Sequence, residues 1–226
     1  MKKLKEHPKA IIFDMDGVIV DSMPYHFIAW YEALKPYGVR VSCFDVYTKE
    51  GERWDKTLKS LLASHRVDPT QKILDQIFAL RKKIFRKYFK RFIFTGVDEF
   101  LACLKNKRYL LGLVTGTPTP EIDRILPKKI KGFFDCIVAG DHVKKGKPNP
   151  EPYLLAAKKL KTRPDGCVVV ENAPLGIESA KSAGMFCVAV TTSLPADYLG
   201  KADAVVESLE QIPAIIDRAC RIDIKK

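Results

Sequence analysis

Two acidic residues, Asp14 and Asp16 in Asp14-Met15-Asp16-Gly17-Val18, follow directly on the apolar run Ala10-Ile11-Ile12-Phe13. A short apolar run closed by a turn signal reads as a buried strand. In open α/β sheets, ligands gather outside the carboxyl ends of the strands. Two carboxylates crowded at such an end repel each other unless a cation joins them. A hard, oxygen-binding ion such as Mg²⁺ suits that role, and one carboxylate is then free to attack an electrophile. Read alone, the same segment is also an ordinary Asp-rich turn at a strand end.

Three later segments repeat the arrangement. Leu110-Leu111-Gly112-Leu113-Val114 runs into Thr115-Gly116-Thr117. Cys136-Ile137-Val138-Ala139 precedes a lysine-rich loop that ends in Lys147-Pro148-Asn149-Pro150. Gly166-Cys167-Val168-Val169-Val170 runs into Glu171-Asn172-Ala173-Pro174-Leu175-Gly176. The chain thus offers, in order, two acids, a hydroxyl with small backbone, a lysine, and an acid-amide pair. That set suits phosphoryl transfer through an aspartyl-phosphate. A carboxylate attacks, a divalent cation neutralises charge, and a hydroxyl, backbone N–H groups and an ammonium hold the phosphoryl oxygens.

With these four motifs, the chain resembles the haloacid dehalogenase (HAD) superfamily of phosphohydrolases over nearly its whole length. Within it, the chain is similar to the β-phosphoglucomutase-like group, in which a small helical cap follows the first motif. Asp21-Ser22-Met23-Pro24-Tyr25-His26 and Glu171-Asn172-Ala173-Pro174-Leu175-Gly176 are nearest to its phosphatase and pyrophosphatase branches. The resemblance implies that Asp14 is the nucleophile and a Mg²⁺ ligand. Asp16 is the expected general acid and base, with its backbone carbonyl on the metal. Thr115 would hold a phosphoryl oxygen, with Gly116 and Thr117 beside it in the substrate site. Lys147 would bridge nucleophile and phosphoryl group as a point charge.

Asn172 stands where this pattern commonly has a second acid. An amide oxygen still ligates Mg²⁺, but without charge. Glu171 is expected to reach the metal through water or to orient Lys147. His26, in Tyr25-His26-Phe27-Ile28-Ala29-Trp30, is expected to face the cleft from the first cap helix. Glu50 and Arg53 flank Gly51 in the loop where the group places specificity residues; a solvated charged turn is the alternative reading. His7, His65 and His142 carry no comparable signal.

These groups need a scaffold that brings strand ends together. Further apolar runs at 185–190 and 204–206, with helical patterns such as 151–161 and 176–183 between strands, predict an α/β parallel sheet covered on both faces. The expected fold is a Rossmann-like HAD core of residues 1–22 and 92–226. Residues 23–91 lack a strand pattern and read as amphipathic helices at 25–34, 55–63 and 70–89, an inserted helical cap. Phe78, Ile84, Phe85 and Phe89 are the expected buried face of the last one.

At 226 residues the chain can bury a real core, and 46% hydrophobic with 29% charged residues is ordinary for a soluble globular protein. The net charge of +12 suits anionic substrates. It could also serve nucleic acid, but no nucleic-acid motif accompanies it. No apolar run approaches the length of a membrane span. The basic stretch at residues 1–8 leads into a short strand, so no export signal is expected. Six scattered cysteines without a Cys-x-x-Cys pair predict free thiols and a reducing cytoplasm.

The expectation is therefore a cytoplasmic, Mg²⁺-dependent, monomeric hydrolase of a small phosphorylated metabolite: a phosphate ester, sugar phosphate or pyrophosphate. A β-phosphoglucomutase-type mutase is the first rival. Arg53 matches that group's Ser-Arg pair only with a one-residue shift, and Asn172 departs from it. A basic nucleic-acid-binding protein with a vestigial site is the rival from another class, and the intact Asp14, Asp16, Thr115 and Lys147 argue against it.

Overall fold

The computed structural model describes Leu4, residues 6–67 and residues 70–221. The rest of the basic N-terminal stretch, residues 68–69 of the expected cap and 222–226 of the expected core lie outside the described residues. The described strands form one six-stranded sheet. They are β1 (Ala10–Asp14), β2 (Leu110–Val114), β3 (Cys136–Val138), β4 (Cys167–Glu171), β5 (Phe186–Val190) and β6 (Ala204–Val206). Their order is β3-β2-β1-β4-β5-β6, and every pairing is parallel. The chain starts in the middle, winds outward to β3, then returns to β4 on the other side of β1. That reversal opens a crevice at the carboxyl ends of β1 and its neighbours.

The core helices are α5 (Val97–Asn106), α6 (Thr119–Ile125), α7 (Lys128–Lys131), α8 (Glu151–Lys159), α9 (Pro174–Ser182) and α10 (Ile212–Arg221); the cap helices are α1 (Met23–Leu34), α2 (Cys43–Tyr47), α3 (Trp54–Ser64) and α4 (Gln71–Tyr88). Side chains alternate across a strand, so β1 feeds two cores. Ile11 and Phe13 pack with Phe100, Leu104, Ile212 and Ile216 of α5 and α10. Ala10 and Ile12 pack with Tyr153, Ala156, Ile177 and Ala180 of α8 and α9. With both faces covered, the strands read as continuous apolar runs.

Two strand details differ from the sequence reading. Gly166 belongs to the 3₁₀ turn Pro164–Gly166, and β4 runs on to include Glu171. Cys136 is only half-buried, because β3 is an edge strand.

The cap helices gather a separate apolar cluster around Trp30, Leu34, Leu58, Leu62, Leu74 and Ile77. Helix α2 is too short to show a helical period, but Ser42 and Asp45 form a capping box that starts it. In α4 the buried apolar residues are Leu74, Ile77 and Phe85. Of the four expected, Phe78, Ile84 and Phe89 are only partly buried. The buried stripe is phased 74-77-81-85, which leaves Phe78 at its border, stacked on Trp54 at 3.9 Å. Ile77→Ala should destabilise the protein by about 2–5 kcal/mol, the usual cost of truncating a fully buried aliphatic side chain. Urea unfolding followed by circular dichroism measures it; an unchanged midpoint would show that this cap cluster is not packed as described.

Candidate active site

The parallel register sets Asp14 beside Val114 and Phe13 beside Val170. Asp14, Thr115 and Glu171 therefore come from three adjacent strand ends. Lys147 enters from the loop between β3 and α8. Its Nζ donates to Asp14 Oδ1 at 2.5 Å and to Glu171 Oε1 at 2.6 Å, and all three residues are buried. Burial pulls the Lys147 ammonium down, but the charges of Asp14 and Glu171 outweigh it and hold the pKa above the ordinary lysine range.

Glu171 is engaged at both oxygens. Oε1 also accepts from the Tyr153 hydroxyl at 2.6 Å, and Oε2 accepts the N–H groups of Asn172 and Ala173 at 2.9 and 3.3 Å. It orients Lys147 and has no free oxygen for direct contact with a cation. Gly176 makes room for it, since a Cβ there would collide with the carboxylate.

Asp16 is buried in a ring of donors. Oδ1 accepts from Ser22 Oγ at 2.6 Å and His26 Nε2 at 3.1 Å; Oδ2 accepts from Thr115 Oγ1 at 3.1 Å and Thr117 Oγ1 at 3.4 Å. Burial pushes its carboxyl up, but hydrogen bonds from His26, Ser22 and Thr115 outweigh it and hold it below the ordinary range. These bonds favour the carboxylate form of Asp16. Thr115 also accepts the Thr117 N–H at 3.0 Å, which fixes the turn at Gly116.

His26 stacks on Phe85 with centroids 4.6 Å apart, and its Nδ1 lies 2.6 Å from Arg81 Nη2. A guanidinium can only donate. Nδ1 is therefore the acceptor, and the ring hydrogen sits on Nε2, pointing at Asp16. Glu50 closes this group: Asp16, His26 and Glu50 offer ligand-type atoms within 4.8 Å of one another. Arg81 argues against a metal there, because the tautomer it imposes leaves Nε2 without a lone pair. Burial pushes the Glu50 carboxyl up, with Asp16 adding to it.

A different pair of atoms fits a cation. Asp14 Oδ2 and Asn172 Oδ1 are buried oxygens with no hydrogen-bond partner. Unsatisfied buried acceptors are costly, and these two come from neighbouring strand ends. Burial pushes the Asp14 carboxyl well up, Lys147 opposing it and Glu171 and Asp16 adding to it. A divalent cation at Oδ2 would reverse that shift.

From the cap, Gly51 adopts φ +80 and lies so close over the Lys147 stem that a Cβ would collide with Cδ. Only glycine combines that conformation with that approach. Glu50 lies beside Asp16 and His26, and Arg53 lines the cleft beside Thr115 and Lys147. Arg53 is half-exposed, paired with Asp55 at 3.2 Å and donating to the Lys144 carbonyl at 3.3 Å. Through the Lys144 carbonyl it also links the cap to the core. The cleft beside Thr115, Gly116, Gly140 and Lys147 has a volume of only about 30 Å³. A wider depression, about 450 Å³ between His7, Tyr109 and Asp217, lies at the opposite edge of the sheet, away from these carboxylates.

Residues 11–190 match the family of haloacid dehalogenase-like hydrolases. The chain belongs to this family. It is 35% identical over 185 residues to a phosphorylated carbohydrates phosphatase of Thermotoga maritima, covering 78% of this chain and 82% of that one. It is 31% identical over 211 residues to the β-phosphoglucomutase of Bacillus subtilis, covering 90% and 91%. The crystal structure of a β-phosphoglucomutase from Clostridium difficile superposes with a TM-score of 0.81 at 26% identity, covering 93% and 98%. The protein is thus a HAD-like hydrolase, with relatives named as phosphatases and as β-phosphoglucomutases.

Four residues of this HAD site were not singled out in the sequence: Ser22, Arg81, Tyr153 and Ser193, the last accepting from Asn172 Nδ2 at 2.8 Å. Only Arg81 left a trace, as a cation on the apolar stripe of α4. Its guanidinium also lies over the Trp30 and Phe85 rings, at 5.2 and 5.5 Å. Arg81→Ala should free the His26 tautomer and lower kcat about tenfold, roughly 1.4 kcal/mol in the barrier. Arg81→Lys, which still donates, should lose less. Steady-state kinetics on the folded variants decide it; wild-type kcat in Arg81→Ala would reduce Arg81 to a packing residue.

Proposed function

We propose that the protein is a Mg²⁺-dependent phosphatase of small sugar phosphates that works through an aspartyl-phosphate on Asp14. The observation that carries this reading is the divided state of Asp14, with one oxygen on Lys147 and the other buried without a partner. Asp14 Oδ2, Asn172 Oδ1 and the Asp16 backbone carbonyl would hold the ion. When bound, the ion supplies charge neutralisation that keeps Asp14 ionised and lowers the cost of bringing two anions together.

Asp14 attacks phosphorus while Lys147, the Thr115 hydroxyl and nearby backbone N–H groups hold the phosphoryl oxygens. As the bond from phosphorus to the leaving oxygen breaks, Asp16 in its protonated form gives that oxygen its proton and becomes the carboxylate that its ring of donors favours. As that carboxylate it takes a proton from the water that attacks the aspartyl-phosphate, which frees phosphate and restores the protonated form for the next turnover. Glu50 lies beside Asp16, so the leaving group meets a carboxylate. That favours a hydroxyl-rich leaving group, which can donate to Glu50, over the anionic leaving group of pyrophosphate. Several relatives are named as phosphatases of phosphorylated carbohydrates or fructose 1-phosphate, in keeping with this substrate class.

A cleft of about 30 Å³ admits roughly one water molecule and no sugar. The cap must therefore open to load substrate and can close on the phosphoenzyme with water inside. The same closure suits a mutase, and relatives named β-phosphoglucomutase keep that reading second. We rank it behind the phosphatase because Asn172 is neutral where that group carries an acid and Arg53 matches its Ser-Arg pair only with a one-residue shift. The unpaired cysteines support a cytoplasmic enzyme, and we take it to act as a monomer. Among the described residues no helix is long and apolar enough to cross a membrane.

A panel of sugar phosphates and pyrophosphate, assayed for phosphate release, tests the proposal. Activity should vanish in EDTA, return with Mg²⁺ and be inhibited by Ca²⁺, whose looser shell misplaces the reacting groups. Asp14→Asn should lower kcat by several orders of magnitude with the fold intact. Full activity in chelator would contradict the metal. Rapid isomerisation of β-glucose 1-phosphate, dependent on glucose 1,6-bisphosphate and without phosphate release, would put the mutase first.

A further inference from the structure

An asparagine in a cation site poses a problem that an aspartate does not. Its side chain has one oxygen that can ligate and one NH₂ that repels the ion, so the amide has to be held the right way round. In this chain Asn172 Nδ2 donates to Ser193 Oγ at 2.8 Å, while Oδ1 is buried without a partner. The amide is fixed from a second side by Gly17, where φ is +83 and a Cβ would collide with both Asn172 Nδ2 and Ser193 Oγ. Thr192 Oγ1 donates to the Gly17 carbonyl, which ties the loop carrying Ser193 to the first motif. The Asn172 backbone N–H is already committed to Glu171.

We propose that Ser193 is a positioning residue for cation binding: it accepts the Asn172 NH₂ and so directs Oδ1 into the divalent-cation site. The inference rests on the Mg²⁺ reading given above. With Ser193 in place, the ligating orientation satisfies every polar atom of the amide. Without it, the same orientation strands a buried NH₂, at the usual cost of an unmade hydrogen bond. The amide then turns toward whatever acceptor it can find, and the ion loses a ligand. A carboxylate at 172 presents an oxygen either way and escapes this dependence.

Isothermal titration of the full chain with Mg²⁺, without substrate, tests this independently of turnover. Ser193→Ala should weaken Mg²⁺ binding about 10–100-fold, the usual effect of removing a group that orients a metal ligand, with the circular dichroism spectrum unchanged. Ser193→Thr should bind as the wild type does. In an Asn172→Asp background, Ser193→Ala should change the affinity little. Equal affinity in wild type and Ser193→Ala would overturn the role of Ser193 while leaving the metal site standing. Equal losses in both backgrounds would also overturn it, showing that Ser193 supports the loop rather than the amide. A wild-type chain that binds no Mg²⁺ would overturn the metal reading itself.

Discussion

The site depends on one buried ammonium held between two buried carboxylates. A parallel sheet directs its strand ends to one edge, and here two of them, β1 and β4, deliver Asp14, Asp16 and Glu171 to the same dry volume. Charges taken out of water cost several kcal/mol each unless they are closely paired. Lys147 pairs with two of the three, at 2.5 and 2.6 Å. Glu171 takes its remaining bonds from Tyr153 and backbone N–H groups, so it serves as a fixed anchor. Asp14 does not, and its second oxygen, buried without a partner, is the cation-seeking atom. Much nearby structure follows from that pairing: Gly51 lets the cap backbone lie on the lysine stem, and Gly176 clears space for the Glu171 carboxylate.

Asp16 solves a different problem. Its partners are donors rather than a fixed ammonium: Ser22, His26, Thr115 and Thr117. Such a ring favours the carboxylate yet can release one bond at a time, as an acid-base group requires. The tautomer of His26, and with it the direction of one of those bonds, is set by Arg81 on α4 of the cap. Cap and chemistry are thus connected by a hydrogen-bonded chain from Arg81 through His26 to Asp16. Arg86 of α4 also pairs with Glu121 of α6, and Phe44 stacks on Tyr198, adding cap-core contacts away from the site.

The core was legible in the sequence because a two-sided parallel sheet writes each strand as an apolar run, and each run ends in a chemical group. Asp14, Asp16, Thr115, Glu171 and Asn172 follow such runs closely, while the choice of Lys147 within its lysine-rich loop rests on the resemblance to the family. The cap was less legible. In α4 the buried stripe competes with partly buried aromatics such as Phe78, and Arg81 is one of many cations on a basic helix. Only its phase with Leu74, Ile77 and Phe85 marks it. The direction of Arg53 is set by Asp55 and by a carbonyl far away in sequence, which no local pattern reveals. Ser193 lies in a loop after β5 without a motif, and its meaning appears only beside Asn172.

The central claim is that Asp14, poised between Lys147 and a cation, carries the phosphoryl group. Asp16→Asn should still accept that group, because the attack does not need a base, but should be slow to hydrolyse it. Acid quenching of this variant after exposure to an activated aryl phosphate and Mg²⁺, followed by reductive trapping and peptide mass mapping, locates the adduct. The account predicts an acyl phosphate on Asp14, absent when Mg²⁺ is withheld. An adduct on another residue, or none while the aryl phosphate is still being cleaved, would contradict it.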